Sequence, residues 1–494
     1  MLLLMQDYGL VRSFNRLYNR SISGETDIFM QQKKDLLKQI PQIDKLMQNK
    51  HILECKIYRH ELTAAARDVI SELRDTLQSG VVDRVSDDDE LAQKIIELAD
   101  KRANTRKRIK RVINGTGVIL HSNLGRASLS KAAAQAVVET ASSYCTLEYD
   151  VDTGKRGNRT QGIEEYLRAL TGCESSIIVN NNAAAVLLIL SAIANGGNVL
   201  VSRGELVEIG GGFRVPDIIT QCGCSLREVG TTNKTRLSDY EAGVDKDTKA
   251  VLKVHSSNFK IIGFTESVSI NELAKLGKKY DIPVIEDIGS GALTDVRRYG
   301  LNDEPLAKES LKNGADIVSF SGDKLLGGLQ CGIILGSEIY ITALKKHPLY
   351  RAFRVDKMTI AALEATLQVY ADPRAAERDI PVLSMLSLSK NDLFKRAENL
   401  CNEIRKNGGL AEVVKVKSVA GGGAVPGLEL ESYAITPQDS GILSAEKIDN
   451  HLRKLPVPVI GRIEDDRYLL DLRTMFEEDY EYIAGVFAKI TAIH

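Results

Sequence analysis

Between about residue 112 and residue 375 the chain alternates short β-branched runs with helical stretches. The runs cover residues 176–179, 198–201, 250–254, 283–286, 316–320 and 332–335, each followed by small or polar residues and most by a helical pattern. Parallel strands can be joined only by long crossovers, so this rhythm predicts an open, mostly parallel α/β sheet. Ligands on such sheets bind beyond the carboxyl ends of the strands, which directs attention to the residues that end each run.

The flanks read differently. Residues 31–110 are helical in pattern, with Leu62, Ala65, Val69, Leu73 and Leu77 at helical spacing. Residues 380–494 form a further α/β segment, with a helix over 391–406, β-like runs over 412–419 and 468–472, and a loop at Gly421-Gly422-Gly423. The expected division is a poorly ordered or non-native extension (1–30, with Met30 as an alternative start), a helical domain (31–105), a basic linker (106–125), a core domain (126–378) and a carboxy-terminal α/β domain (379–494).

The net charge of −1 gives no global attraction for nucleic acid, so such a partner needs a local patch. Residues 101–111 supply one: seven of eleven are cationic and none is acidic, which favours a polyanion. The seven cysteines are odd in number and scattered, which fits a reducing cytoplasm rather than a disulfide framework. The close pair Cys222-Gly223-Cys224 has no second Cys/His pair at zinc spacing, so no metal site is expected. No apolar run approaches the length of a membrane span.

Lys324 stands at the exit of the run 316–320, in Ser321-Gly322-Asp323-Lys324-Leu325-Leu326-Gly327-Gly328. A partly desolvated lysine there suits a Schiff base with pyridoxal phosphate, and Ser321 suits the cofactor's phosphate. Asp287 ends the run 283–286, 37 residues earlier. One loop, one helix (about 305–313) and one strand fit between them, so a right-handed crossover sets both at one sheet edge. A carboxylate at that edge can pair with the pyridinium nitrogen. Asn181, Asn182 and Ala183 open the helix after 176–179, where free N–H groups and the helix dipole favour phosphate, although an N-cap alone also explains the asparagines. His255 follows the run 250–254 and is placed to face the cofactor ring or its phenolic oxygen, with a purely structural histidine as the alternative. The sequence names no aromatic ring-stacking residue.

These segments resemble bacterial selenocysteine synthase, the L-seryl-tRNA(Sec) selenium transferase family of fold-type I pyridoxal-phosphate enzymes. The resemblance runs from about Pro41 to about Met475. It is carried by His121-Ser122-Asn123-Leu124-Gly125-Arg126, Ser202-Arg203-Gly204-Glu205-Leu206-Val207, Gly230-Thr231-Thr232-Asn233-Lys234-Thr235, Glu286-Asp287-Ile288-Gly289-Ser290-Gly291 and the Lys324 run. It implies a fold-type I transferase with a small helical amino-terminal domain that reads selenocysteine tRNA. It also implies a homodecamer, a pentamer of dimers, in the cytoplasm, with Thr231-Thr232 at a dimer–dimer contact. The implied reaction removes the hydroxyl of seryl-tRNA(Sec) and adds selenium from selenophosphate. Lys324, Asp287 and Asp323 are implied as catalytic, and Arg126, Arg351 and Arg354 as anion-binding. The chain has Leu329 and Cys331 where the family usually has Pro and Ala, which implies altered packing and an oxidisable thiol near the site. Two alternatives are a related lyase acting on a small phosphorylated amino acid or amino sugar, and a tRNA-binding scaffold without catalysis. The helical amino-terminal segment argues against the first, and the pair Lys324 and Asp287 against the second.

Overall fold

The computed structural model describes residues 31, 33–82, 84–106, 109–423, 426–438 and 444–491. The extension expected at 1–30 lies outside the described residues. Two compact units divide the chain at Arg111 and Val112. In the first, helices α1 (Arg59–Ser79) and α2 (Asp88–Arg106) carry the apolar stripe seen in the sequence. Leu62, Ala65, Val69, Leu73 and Leu77 form one core with Leu91, Ala92, Ile95 and Ala99. Asp88, Asp89 and Glu90 occupy the first turn of α2, where the helix dipole favours acidic groups. In the basic run, Arg102 is ion-paired with Asp68, so at least this cation is partly compensated.

In the second unit, β1 (Ile113–Asn114) and β2 (Val118–Leu120) come first. A seven-stranded sheet follows, built from β3 (Ser175–Val179), β4 (Asn198–Ser202), β5 (Ser225–Val229), β6 (Thr248–Val254), β7 (Val284–Gly289), β8 (Ile317–Ser321) and β9 (Gly332–Gly336). The order is β3-β9-β8-β7-β6-β4-β5. All neighbours are parallel except β9, which runs antiparallel between β8 and β3. Helix α3 (Asn182–Ile193) follows β3 directly.

Successive strand residues serve opposite faces. Leu200, Val251, Val284 and Val318 join one apolar cluster, while Val199, Val201, Leu252, Ile285 and Ile317 join another. Burial on both faces is why these strands read as continuous apolar runs. Strand β5 escaped the sequence reading because it is an edge strand, half-exposed and charged at Arg227 and Glu228.

The carboxy-terminal region adds helix α4 (Lys390–Lys406) and strands β10 (Ala411–Gly421), β11 (Glu429–Pro437), β12 (Val459–Ile460), β13 (Arg462–Glu464) and β14 (Arg467–Asp471). A five-stranded sheet has the order β13-β14-β11-β10-β2. Strand β2 pairs with β10 and β1 with β12, both in parallel. Residues 106–125, expected as a linker, thus contain two strands whose hydrogen-bonding partners lie far along the chain. Asp471 fastens this sheet. Its fully buried carboxylate accepts from Ser418 (2.8 Å), Ser432 (2.6 Å) and Arg462 (3.0 Å), and Arg462 also donates to the Thr116 carbonyl (2.6 Å).

Gly332 begins β9 against the turn that carries Asn181. A Cβ there would lie 2.2 Å from the Asn181 carbonyl oxygen. Gly332→Ala is therefore expected to destabilise the fold by roughly 1–3 kcal/mol and to weaken cofactor uptake by shifting that turn. Calorimetry together with a cofactor titration checks both effects.

Candidate active site

Strands β7 and β8 are paired in parallel with Asp287 opposite Ser319. Their carboxyl ends bring Asp287 and the Lys324 loop to one edge, as the crossover argument required. Asp287 is buried, and its Oδ1 accepts from Asn182 Nδ2 (2.7 Å) and Ser319 Oγ (3.3 Å). Its backbone carbonyl takes the His255 N–H (2.9 Å). Burial pushes the carboxyl above its ordinary range, while the Asn182 bond and the Lys324 charge oppose that shift.

Lys324 is 6% exposed. Burial lowers its amine, against the pull of Asp287. The loop that carries it is pinned at several points: Gly322 N–H donates to Cys331 (2.9 Å), Gly327 N–H to Lys324 (2.9 Å) and Leu325 N–H to Ser290 (3.0 Å). Cys331 is fully buried against Gly322, and burial pushes its thiol up to about 12. The expectation of an oxidisable thiol is corrected: without access or thiolate character this cysteine is inert packing.

Asn181 caps α3, accepting from the Ala184 N–H (2.8 Å). The first N–H groups of a helix have no intrahelical acceptor, so those of Asn182 and Ala183 remain at the helix end for an anion. The Asn182 side chain is turned to Asp287 instead. Ser321 is buried at the last position of β8. His255 lies just beyond β6, with Nε2 3.8 Å from Glu304 Oε2.

The arginines separate. Arg126 Nη1 meets Asp323 Oδ2 at 2.8 Å, and the Ala127 N–H donates to the Asp323 carbonyl (3.3 Å). Arg126 also has φ +64°, a left-handed conformation that costs energy in a non-glycine residue. Arg354 forms a β-bridge with Val179, beside the Asn180–Asn181 turn, and lies 3.6 Å from Glu148. Glu148 also binds Arg156 (2.7 Å) and Arg159 (2.5 Å) and is held below the usual carboxylate range, first by its Arg159 hydrogen bond. Arg351 is exposed on the short helix Pro348–Ala352, and among the described residues no hydrogen bond or ion pair joins it to the others.

Several buried polar atoms around this edge lack a hydrogen-bond partner among the described residues, including Asn182 Oδ1, His255 Nε2, Glu304 Oε2, Asp323 Oδ1 and His121 Nδ1. Such atoms are costly to leave unpaired in a finished protein, so their grouping beside Lys324 fits a polar ligand. With the buried carboxylate Asp287 and the open end of α3, the donor and acceptor set suits pyridoxal phosphate. A cavity of about 540 Å³ opens beside the site, lined by His255, Glu286, Glu205 and Lys253 among others. No helix among the described residues is long and apolar enough to cross a membrane.

Two contributors, Glu304 and Gly423, were missed in the sequence, and one contact of a residue it did name, Asn182. Glu304 lies in a loop, where periodicity is silent. Asn182 was assigned to phosphate on its place at the helix start, and nothing local pointed to Asp287. Gly423 was seen only as part of a glycine loop, yet a Cβ there would lie 2.5 Å from Lys324 Nζ, at a backbone φ of +85°. Only a residue without a side chain allows this close approach. Gly423→Ala is expected to slow adduct formation at Lys324 at least about tenfold (1.4 kcal/mol), read by stopped-flow absorbance after mixing apoprotein with pyridoxal phosphate, while the Asp471-centred sheet stays folded by circular dichroism.

Comparison with known proteins agrees with this geometry. A family model described as L-seryl-tRNA selenium transferase matches residues 112–476. The chain is 46% identical over 466 residues to the L-seryl-tRNA(Sec) selenium transferase of Alkaliphilus oremlandii, covering 93% of this chain and 99% of the relative. It is 47% identical over 470 residues to that of Alkaliphilus metalliredigens, covering 92% and 98%. Among solved structures, a D-glucosaminate-6-phosphate ammonia-lyase aligns with a TM-score of 0.55 at 20% identity, over 78% of this chain and 97% of that one, which is a likeness of fold. The sheet order, the buried lysine edge and these relatives together place the chain in the L-seryl-tRNA selenium transferase family, with the fold-type I architecture and pyridoxal phosphate as its cofactor.

Proposed function

We propose that this chain converts seryl-tRNA(Sec) to selenocysteinyl-tRNA(Sec) for selenoprotein synthesis, taking selenium from selenophosphate. The observation that carries the reading is a buried lysine and a buried aspartate at one sheet edge, in a chain of this family. Pyridoxal phosphate, when bound, supplies an electron-poor ring that accepts the charge released at an amino acid's α-carbon. Lys324 Nζ would hold it, Asp287 would meet its ring nitrogen, and His255 would face its ring. Ser321 and the helix end at Asn181, Asn182 and Ala183 would take its phosphate.

The protein's own groups then divide the work. Burial lowers the Lys324 amine, which enlarges the neutral fraction near pH 7. That amine is the base for the α-proton of the seryl group. Asp287, gripped by Asn182 and Ser319, keeps a fixed position opposite it. Arg126, Arg351 and Arg354 bind the selenium donor, since guanidinium forks suit phosphate-like groups. Arg126 is steered by its ion pair with Asp323, which also assists proton transfer. The helical unit and the basic run from residue 101 recognise the tRNA, and the active assembly is a cytoplasmic homodecamer, a pentamer of dimers. Because among the described residues no hydrogen bond or ion pair holds Arg351, completion of the anion site by assembly is part of this reading.

Three outcomes are expected. Seryl-tRNA(Sec) with selenophosphate yields selenocysteinyl-tRNA(Sec), and Lys324→Ala abolishes the product; borohydride trapping and peptide mapping find the pyridoxyl adduct at residue 324 of the parent protein alone. Asp287→Asn removes the carboxylate that holds the Lys324 amine up. The midpoint of cofactor incorporation rate against pH therefore moves to lower pH than in the parent. Deleting residues 1–105 removes the preference for seryl-tRNA(Sec) over ordinary seryl-tRNA while the cofactor stays bound; unchanged preference in filter binding refutes the tRNA role of the helical unit.

A further inference from the structure

Glu304 is a carboxylate that the reaction described above leaves without a task. It sits in the loop after β7, before the helix Ala307–Lys312, and its side chain is wholly buried. Its Oε1 accepts a short hydrogen bond from Ser290 Oγ. Its Oε2 has no hydrogen-bond partner and lies 3.8 Å from His255 Nε2, which has none either. Two buried polar atoms of complementary type therefore face each other across a gap slightly too long for a hydrogen bond. Ser290 also connects Glu304 to the lysine loop, because its carbonyl takes the Leu325 N–H (3.0 Å). On the other side, the His255 N–H is bound to the Asp287 carbonyl (2.9 Å). The carboxylate thus touches, at one remove, both ends of the Lys324–Asp287 pair.

We propose that Glu304 is a positioning residue, which accepts the Nε2–H of His255, fixes the orientation of that imidazole toward the cofactor ring, and holds positive charge at the Lys324 edge. This rests on the cofactor reading given above. Ser290 and Lys324 lie around Glu304, Glu286 and Asp287 around His255, Lys253, Glu205 and Asp303 line the cavity with His255, and Arg126 and Asp323 also act on Lys324. The Glu304 charge acts on the Lys324 amine in the direction that favours its protonated form. Removing it must therefore move a titration at this edge to lower pH.

The experiment titrates the visible absorbance band of the cofactor-loaded protein against pH in the parent, Glu304→Gln, His255→Asn and the double variant. Glu304→Gln is expected to lower the midpoint by roughly one pH unit. In the His255→Asn background the same change is expected to lower it by less than half as much, because only the direct effect of the Glu304 charge remains once the imidazole it orients is gone. Ser290→Ala, which keeps the charge but frees the carboxylate, is expected to fall between. Glu304→Asp retains the charge and keeps the band titratable should the glutamine variant fail to fold, with a smaller displacement in the same direction. An unmoved midpoint in Glu304→Gln, or an equal shift with and without His255, overturns the assignment. Borohydride mapping of the parent sample separates the two levels: an adduct at residue 324 with an unmoved midpoint overturns only the role of Glu304, whereas no adduct there overturns both.

Discussion

Asp287 and Lys324 are both withdrawn from water at the carboxyl ends of neighbouring parallel strands. Removing a carboxylate and an amine from solvent costs several kcal/mol for each ion, so the fold must return something for it. The return is partial. Asp287 is satisfied on one oxygen by Asn182 and Ser319, and Lys324 is left with a lowered amine rather than a close ion pair. A lowered, buried amine beside a buried carboxylate is the arrangement that the proposed imine with the aldehyde of pyridoxal phosphate would use. Neighbouring elements converge on that edge: β6 leads to His255, β7 carries Asp287, β8 leads into the lysine loop, and α3 opens with Asn182 bound to Asp287.

Close packing sets the tolerance. Gly332 lets β9 lie against the Asn181 turn, and Gly423, just beyond β10, lies against the lysine amine. Both contacts couple regions that are distant in sequence. The Asp471 network performs the corresponding task for the carboxy-terminal sheet, drawing Ser418, Ser432, Arg462 and the carbonyl of Thr116 to one buried carboxylate. Residues 113–120 are thereby built into the same unit as the strands that end the chain.

Much of this was legible in advance where the physics is local. Six of the seven strands of the central sheet were visible because burial on both faces writes an apolar run. The meeting of Lys324 and Asp287 at one edge was visible because a right-handed crossover of that length returns the chain to the same end of the sheet. The edge strand Ser225–Val229 was not, since exposure admits Arg227 and Glu228 and erases the pattern. Glu304, the second task of Asn182 and the placing of Gly423 were not visible either. Each depends on a contact between residues that no periodicity relates. The basic run read as uncompensated, but Asp68, one helix away, takes Arg102.

The order of residues alone determined the class of sheet and that Asp287 and Lys324 meet at one edge of it, because strand burial and crossover handedness follow from pattern and chirality. Only the tertiary structure decided which groups surround that lysine, which of its neighbours remain unpaired, and that the thiol of Cys331 is sealed. Those facts turn on distances between side chains from separate strands and loops, and such distances are fixed by packing in three dimensions.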